Sequence, residues 1–524
     1  MLGKNFTSKL ITSFLVLLII TTSLIQLERQ PPLWWDEGWT LVVARNWAVD
    51  SFYGRYLSGE LDTPSLAGGF PVVAQVAASF RLFGVGVWQG RLPGVLFLWV
   101  AFALLYYLAD RLYNQKVAIS AVIVTLLMSV GPWLNPLIIG RQVLGEIPTV
   151  FYLLAGYACL WSALHKRTWM ILLAIVFFAI AIRVKAQVPP FWLASMFLPL
   201  FWAIYRRWAK IFVLLLFTIV GTQACANYGI AWLQNQLIAG NAIQGNTVAG
   251  LLDVTAVVLN RDIRIDAILI AFTIGLPTTM GLGFVAMGFI KKMCQLKSFN
   301  ELSASDPVVE TVRLALLGLT GSWMAWFVFF GMSNVRYLFP VVFIGSIYTA
   351  ALLNKLTFSY NLKATIMGVN ALLLHRSSTI QNWGALLSIL LFAITVPFNI
   401  FTIDLISVYN TYNPDGKPAA VKVAEFLNAN TPSKAIIETY DSELFFLLNR
   451  HYHYPPDDVH VSLIRRNDLK QDVTIEYNPI IADPDYLVIG HFSRKWGLYD
   501  GVISSGKFRK IKEYPGYEIY LRIR

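Results

Sequence analysis

The chain has 524 residues, of which 56% are hydrophobic, 14% aromatic and only 14% charged. A soluble globular domain carries roughly 25% charged residues, so this composition excludes an ordinary water-soluble protein. The 42 Lys and Arg against 30 Asp and Glu give a formal charge of +12, which in a soluble protein would suggest a nucleic-acid partner. Here the basic residues lie in short connections between apolar runs, so the positive-inside rule explains them and the partner is the bilayer.

The predicted membrane spans begin with the apolar run 10–27, which follows Lys4 and Lys9. No small-residue cleavage site follows it, so we interpret it as an uncleaved first span rather than a signal peptide. Ten further runs lie near 92–109, 117–134, 147–164, 169–183, 187–205, 211–233, 265–290, 312–332, 337–353 and 381–403. About eleven spans of the expected length predict a multi-pass plasma-membrane protein with a cytoplasmic N-terminus and its two termini on opposite faces.

The first predicted outer loop, residues 28–91, is about 60 residues long, far longer than the usual connection. Its charged residues alternate with apolar ones, which indicates short amphipathic helices on the membrane surface. A loop of this length is expected to be functional.

The tail forms the second hydrophilic region. A helical pattern begins at Ala419, a strand is predicted at 435–440, a helix at 442–448, and strands at 486–489 and 517–521. We therefore predict an extracytoplasmic α/β domain at 405–524, after an all-α membrane domain at 1–404 that includes the 28–91 loop.

The strongest local signal is the sequence WWDEGWT at 34–40. Its three tryptophans are expected to anchor at the headgroup level, which puts Asp36 and Glu37 at the membrane surface. Adjacent residues on a helix point about 100° apart, so one carboxylate is expected to act as the base and the other to support it.

Several motifs then follow in an order that resembles the GT-C superfamily of membrane glycosyltransferases, in particular its protein O-mannosyltransferase and aminoarabinose-transferase branch. After the DE pair come LDTPSLAGGFPVVAQVAASFRLFG at 61–84, an arginine at Arg91, and GRQVLGEIPTVFYLL at 140–154. IRVKAQVPPF, starting at Ile182, and NVRYLFPV, at 334–341, complete the set. The resemblance covers most of the chain but is loose in the tail, and Glu146 stands where the family often has aspartate.

The resemblance implies that a sugar moves, with inversion, from a polyprenyl-phosphate donor to an acceptor hydroxyl of a protein, lipid or glycan on the outer face. An acceptor hydroxyl needs a carboxylate to take its proton, and Asp36 is the candidate base. A lipid phosphate leaving group is stabilised by cations more than by a general acid. The expected supporting carboxylates are Glu37 and Glu146, and the expected phosphate-binding cations are Arg91, Arg141, Lys185 and Arg336.

A divalent metal is a further possibility that the resemblance raises, since some members of the family hold one with loop carboxylates. Asp36, Glu37, Glu60 and Asp62 could supply oxygen ligands here. His451, His453 and His460 have irregular spacing for a zinc site and are interpreted as exposed polar residues. No cofactor is assigned.

Two other functions remain open. A carrier or flippase for polyprenyl-linked lipids would also need many spans and anion-binding arginines, but no internal repeat or interrupted span is evident. A polysaccharide ligase that uses a diphosphate-linked donor would also use outer arginines. It would differ in its donor and in its need for Asp36.

Overall fold

The computed structural model describes residues 2–238, 255–294, 306–376, 378–411 and 417–524. Helices precede the C-terminal domain at α1 Leu2–Leu24, α2 Trp35–Val49, α3 Phe70–Phe83, α4 Val87–Leu112, α5 Gln115–Leu127, α6 Pro136–Ile139, α7 Glu146–His165, α8 Met170–Val184, α9 Val188–Tyr205, α10 Ala209–Ala224, α11 Ala231–Ile238, α12 Arg261–Phe272, α13 Leu276–Cys294, α14 Pro307–Phe329, α15 Phe339–Leu356, α16 Leu362–Leu373 and α17 Ile380–Thr411. A π-helical turn, Cys225–Ile230, joins α10 to α11, and a 3-10 turn, Val335–Leu338, precedes α15.

Seven of the described helical segments are long and apolar enough to cross a membrane, and the bent pair α12–α13 makes an eighth. Among the shorter apolar helices, Ser8–Leu24, Gln115–Leu127 and Met170–Val184 coincide with the remaining predicted spans. The protein is therefore a multi-pass helical membrane protein. The expectation that no span is interrupted was wrong, because α12 and α13 meet at 79° across a break at residues 273–275.

The first loop folds as two helices and a hairpin rather than as a chain of surface helices alone. Helix α2 comes first, then the antiparallel hairpin β1 Arg55–Leu57 and β2 Glu60–Asp62, then α3. Asn46 Nδ2 donates to the Gly54 carbonyl at 2.9 Å, which fixes the turn between α2 and the hairpin.

The C-terminal domain contains a five-stranded mixed sheet in the order β4-β3-β5-β7-β6. Its strands are β3 Ile436–Thr439, β4 His451–His453, β5 Tyr486–Ile489, β6 Phe508–Tyr514 and β7 Tyr517–Arg522, and its helices are α18 Ala419–Asn430, α19 Glu443–Leu447, α20 Asp457–Asn467, α21 His491–Lys495 and α22 Asp500–Ser504. Strand β3 runs parallel to β4 and β5, while β7 is antiparallel to β5 and β6. The expected boundary at 404–405 falls within α17, and residues 412–416 lie outside the described residues.

The WWDEGWT segment is where this domain contacts the first loop. Trp35 Nε1 donates to the Tyr440 carbonyl at 2.8 Å, and Ser442 Oγ donates to the Trp35 carbonyl at 2.5 Å. The backbones approach so closely that a Cβ on Gly38 would lie 2.0 Å from the Ser442 oxygen. Trp39 is fully buried and packs edge-on against Phe445 at 5.2 Å. The indoles thus contact the C-terminal domain, whereas the sequence predicted that they anchor in the headgroup region.

Candidate active site

A cavity of about 500 Å3 lies between one end of the helical bundle and the C-terminal domain. Its bundle-side lining includes Asp36, Glu146, Lys185, Gln187 and Arg336. Its domain-side lining comes from α20, α21 and the residues that follow them: His460, Ile464, Asp468, Phe492, Lys495 and Trp496. The pocket therefore forms only where the two parts of the chain meet.

Two carboxylates and two cations form a connected cluster on the bundle side. An Arg336 Nη atom forms an ion pair with an Asp36 carboxylate oxygen, and Arg336 Nε lies 3.1 Å from Glu146 Oε1. Lys185 Nζ lies 2.6 Å from the same Glu146 oxygen. Glu146 is buried, with 2% of its side chain exposed, whereas Asp36 keeps 30% exposed toward the pocket. Charged groups at this depth are costly to bury, so such a cluster indicates a functional site.

Each member of the cluster is placed by the end of a helix. Asp36 is the second residue of α2 and Glu146 is the first residue of α7, where a negative charge is favoured by the helix dipole. Lys185 directly follows α8. Arg336 lies in the 3-10 turn before α15, where its backbone N–H donates to Asn334 Oδ1 at 3.1 Å.

The two adjacent carboxylates of the DE pair have different surroundings. Glu37 is fully buried and accepts from Arg91 Nε at 3.0 Å, from Arg91 Nη2 at 2.8 Å and from the Val143 backbone N–H at 2.9 Å. It also accepts from the Trp34 backbone N–H at 3.0 Å, which closes the start of α2. Asp36 faces the pocket and Glu37 faces the protein interior, as their 100° separation on the helix requires.

Two of the expected phosphate-binding arginines lie outside the pocket lining. Arg91 is fully buried, and its remaining donor reaches the carbonyls of Leu27 at 3.0 Å and Pro31 at 2.8 Å. Arg141 donates to the Ile25 carbonyl at the end of the first helix. Both side chains thus tie the beginning of the first loop to the bundle. The hydrogen-bonding groups of Arg91 are thus directed to the protein itself, whereas the Nε of Arg141 has no hydrogen-bond partner among the described residues. Phosphate binding by these two arginines stays a prediction.

The residues that sequence reasoning missed come from the C-terminal domain. His460 was expected to be an exposed polar residue but is 3% exposed, stacks on Trp35 at 5.1 Å and contacts the Tyr440 hydroxyl through Nδ1 at 2.5 Å. Burial lowers the pKa of His460 to about 4, so the ring is neutral at physiological pH. Burial also raises the pKa of Asp468. Neither residue has a local sequence signal, because its place in the pocket depends on the tertiary fold, and His460, for example, stacks on Trp35 of the first loop.

The donor set does not fit the metal that the resemblance raises as a possibility. Within the part of the chain that the structure describes, no group of three or more His, Cys, Asp and Glu side chains could hold an ion. Asp62 pairs with Arg55 at 2.7 Å and Asp36 with Arg336, so these carboxylates are matched by cations of the protein. We derive no step through a metal.

Comparisons with known proteins concern the fold and one segment of the chain. Residues 71–228 match the family described as dolichyl-phosphate-mannose-protein mannosyltransferase. The fold is similar to that of ArnT from Cupriavidus metallidurans, crystallised with undecaprenyl phosphate, at a TM-score of 0.59 and 12% identity over 98% of each chain. It is also similar to the oligosaccharyltransferase AglB from Archaeoglobus fulgidus, solved with an inhibitory peptide and a dolichol-phosphate, at a TM-score of 0.53 and 11% identity over 99% of this chain and 75% of that one. No curated protein sequence matches the chain.

The protein has the GT-C fold, which is the fold of a class of membrane glycosyltransferases. Within this fold, residues 71–228 are similar to the dolichyl-phosphate-mannose-protein mannosyltransferases.

Proposed function

We propose that the protein transfers a sugar, with inversion, from a polyprenyl-phosphate-linked donor to an acceptor hydroxyl on the outer face of the membrane. The observation that carries the proposal is the cluster in which pocket-facing Asp36 lies beside two cations at the ends of membrane helices. The structurally similar proteins that were solved with undecaprenyl phosphate and with a dolichol-phosphate support the choice of a lipid phosphate.

The reaction needs a base for the acceptor and cations for the leaving group. Asp36 takes the proton of the acceptor hydroxyl while that oxygen forms a bond to the anomeric carbon. The bond from the anomeric carbon to the phosphate oxygen breaks at the same time, and its electron pair stays on the lipid phosphate. Lys185 and Arg336 stabilise that negative charge, which is the term that usually dominates such catalysis.

Glu146 positions the two cations in this scheme. It contacts both Lys185 and Arg336 through the same oxygen, and its burial prevents the pair from turning toward water. Its negative charge also offsets part of the positive charge of Lys185 and Arg336, which are largely buried. When the donor phosphate binds, Arg336 can turn from Asp36 to the phosphate, which leaves the carboxylate available to the acceptor.

The distribution of basic residues supports the outer face as the side on which the reaction takes place. Lysine and arginine concentrate in the short connections at the end of the spans opposite the pocket, including Arg206, Arg207, Lys291 and Lys292. The positive-inside rule assigns that end to the cytoplasm. The pocket and the C-terminal domain therefore lie outside.

The position of the charged groups favours the enzyme over a carrier. A carrier is expected to hold its polar site near the middle of the membrane, often at an interrupted span. Here the cluster lies at helix ends, and neither α12 nor α13, the interrupted pair, contributes a residue to the described pocket lining.

The test uses the full-length protein in vesicles with labelled polyprenyl-phosphate sugars, the matching diphosphates and endogenous acceptors, and measures label leaving the lipid. Asp36→Asn should lower turnover of the monophosphate donor by about 100-fold or more. Asp50→Asn is the matched control, because Asp50 is exposed at the other end of α2 and lies outside the pocket lining.

Three results would contradict the proposal. Equal turnover by wild type and Asp36→Asn would remove Asp36 from the mechanism. Turnover of the diphosphate donors alone would identify a diphosphate-dependent ligase. Movement of intact donor across the bilayer without release of label would identify a carrier.

A further inference from the structure

The side of the pocket that the charged cluster does not occupy is lined by aromatic rings. Ring centroids are separated by 4.6 Å between Trp133 and Trp34, 5.2 Å between Trp34 and Phe492, and 5.7 Å between Phe492 and Trp35. Trp496 continues the series at 6.4 Å from Phe492. We call these five residues the aromatic wall. All five line the pocket, so the wall is a surface of the site and not only core packing.

Two indole N–H groups of the wall have no hydrogen-bond acceptor in the described parts of the chain. Trp496 is 8% exposed, and neither its Nε1 nor that of Trp34 has a hydrogen-bond acceptor among the described residues. A buried donor without an acceptor costs free energy that a ligand oxygen would recover. The wall therefore combines flat apolar faces with N–H groups suited to a ligand that has both C–H surfaces and oxygens.

Charged side chains stand at the domain-side edge of the wall. Asp468 and Lys495 both line the pocket, and no ion pair within 4.0 Å involves either of them in the described structure. A carboxylate and an ammonium group accept from and donate to neighbouring hydroxyls. This edge adds the polar contacts that would orient a polyhydroxylated ring on the wall.

The donor sugar does not account for this surface. Its phosphate belongs at Lys185 and Arg336, on the bundle side, and its anomeric carbon must lie near Asp36. Asp36 forms an ion pair with Arg336, one of the two cations, while the preceding residues Trp34 and Trp35 belong to the wall. The wall thus begins where the acceptor has to approach.

One common way to bind an extended peptide is to add it to a sheet edge, where main-chain hydrogen bonds supply affinity. The edge strands here are β4 and β6, and neither contributes a residue to the described pocket lining. The β4 edge is already engaged by the first loop, since the Ser58 N–H donates to the Tyr452 carbonyl at 2.8 Å.

On these grounds we propose that the acceptor is a saccharide, either a glycan or the sugar of a glycolipid, bound on the aromatic wall with its hydroxyls held by Trp496, Asp468 and Lys495. The C–H face of a sugar ring is complementary to the negative face of an aromatic ring. This inference rests on the proposed function and names the class of its second substrate.

The test compares acceptors and variants in the full-length protein with its polyprenyl-phosphate donor. Glucan, mannan and N-acetylglucosamine oligomers are compared with Ser/Thr-containing peptides, and slow transfer of the sugar to water is measured without acceptor. Trp496→Phe, which keeps a ring but removes the N–H, and Lys495→Ala should each raise the KM for the saccharide at least fivefold. The KM for the donor and the rate of transfer to water should change by a smaller factor than the KM for the saccharide.

Arg494→Ala is the matched control, because Arg494 is the exposed neighbour of Lys495 on α21, faces Glu518 at 3.5 Å and lies outside the pocket lining. Transfer to peptides but not to saccharides would overturn the inference while leaving the proposed function intact. An unchanged saccharide KM in both pocket variants would also overturn it. If the wild type cleaved no donor at all, even by transfer to water, the proposed function would be refuted instead. In that case, quenching of tryptophan fluorescence by a saccharide, if Lys495→Ala weakened it, would still support the binding site.

Discussion

The different surroundings of Asp36 and Glu37 predict that Glu37 contributes to the stability of the folded protein. In Glu37→Gln, the buried carboxylate becomes a neutral amide, and the Arg91 guanidinium, fully buried beside it, loses its counter-charge. Glu37 accepts four hydrogen bonds, two of them from that guanidinium, and the amide oxygen cannot replace them all. Removing one partner of a buried ion pair costs about 3–5 kcal/mol, so we expect a loss of unfolding free energy of this size.

The assay is equilibrium unfolding of the purified protein in detergent, with transfer activity measured on the fraction that remains folded. Glu425→Gln is the control: Glu425 pairs with Lys417 at 2.6 Å on the surface, with 53% and 45% of the side chains exposed, and the cost there should be below about 1 kcal/mol. Folded Glu37→Gln should keep measurable activity. If it proved as stable as Glu425→Gln but inactive, Glu37 would have a direct role and the structural assignment would fail.

Three other substitutions test separate parts of the structure. Gly38→Ala should destabilise the contact between the first loop and the C-terminal domain by about 1–3 kcal/mol, because its Cβ would lie 2.0 Å from a carbonyl oxygen. Limited proteolysis of this variant should be faster than that of the wild type. Gly501→Ala is the control and should not change the proteolysis rate, because a Cβ at Gly501 would have no neighbouring atom within 4 Å. Burial and the charge of Asp441 raise the pKa of Glu443, so the folded state holds a proton that the unfolded state releases. The free energy of unfolding should therefore fall as the pH rises above about 4.3 toward the raised pKa. Melting curves recorded at a series of pH values should show a weaker dependence of the melting temperature on pH in Glu443→Gln than in the wild type. Lys185→Met should lower transfer about 100-fold with the acceptor KM unchanged, and an equal loss of acceptor affinity would contradict its assignment to the donor phosphate.

The membrane part of the fold was predictable because a span needs a run of apolar residues and little else. The runs at 92–109 and 147–164, for example, correspond to Val87–Leu112 and Glu146–His165. The bend between α12 and α13 escaped prediction, since both halves are apolar and the break at 273–275 interrupts the helix without interrupting the hydropathy.

The cluster of Asp36, Glu146, Lys185 and Arg336 could be named from sequence because motifs in family order mark the ends of predicted outer spans. Their role as a site is still a proposal, but the structure brings all four together. Local sequence could not separate them from Arg91, since whether an arginine at a span end faces a pocket or the interior depends on tertiary packing.

The tail was the least predictable part. Strands at 436–439 and 486–489 follow from apolar runs, but strand β4 and helix α20 were missed, and with them the burial of His460. Its surroundings come from Trp35 and Tyr440, which are separated from each other by 405 positions. No local pattern carries that information.

That separation has a consequence for how the protein is made. Synthesis proceeds from the N-terminus, so the WWDEGWT segment leaves the ribosome long before Tyr440, Ser442 and His460 exist. Until the C-terminal domain has been translated and folded, Gly38 has no partner and the pocket has only its bundle-side half. A prematurely terminated chain would thus insert in the bilayer with Asp36 on α2 yet lack the domain-side wall of the pocket.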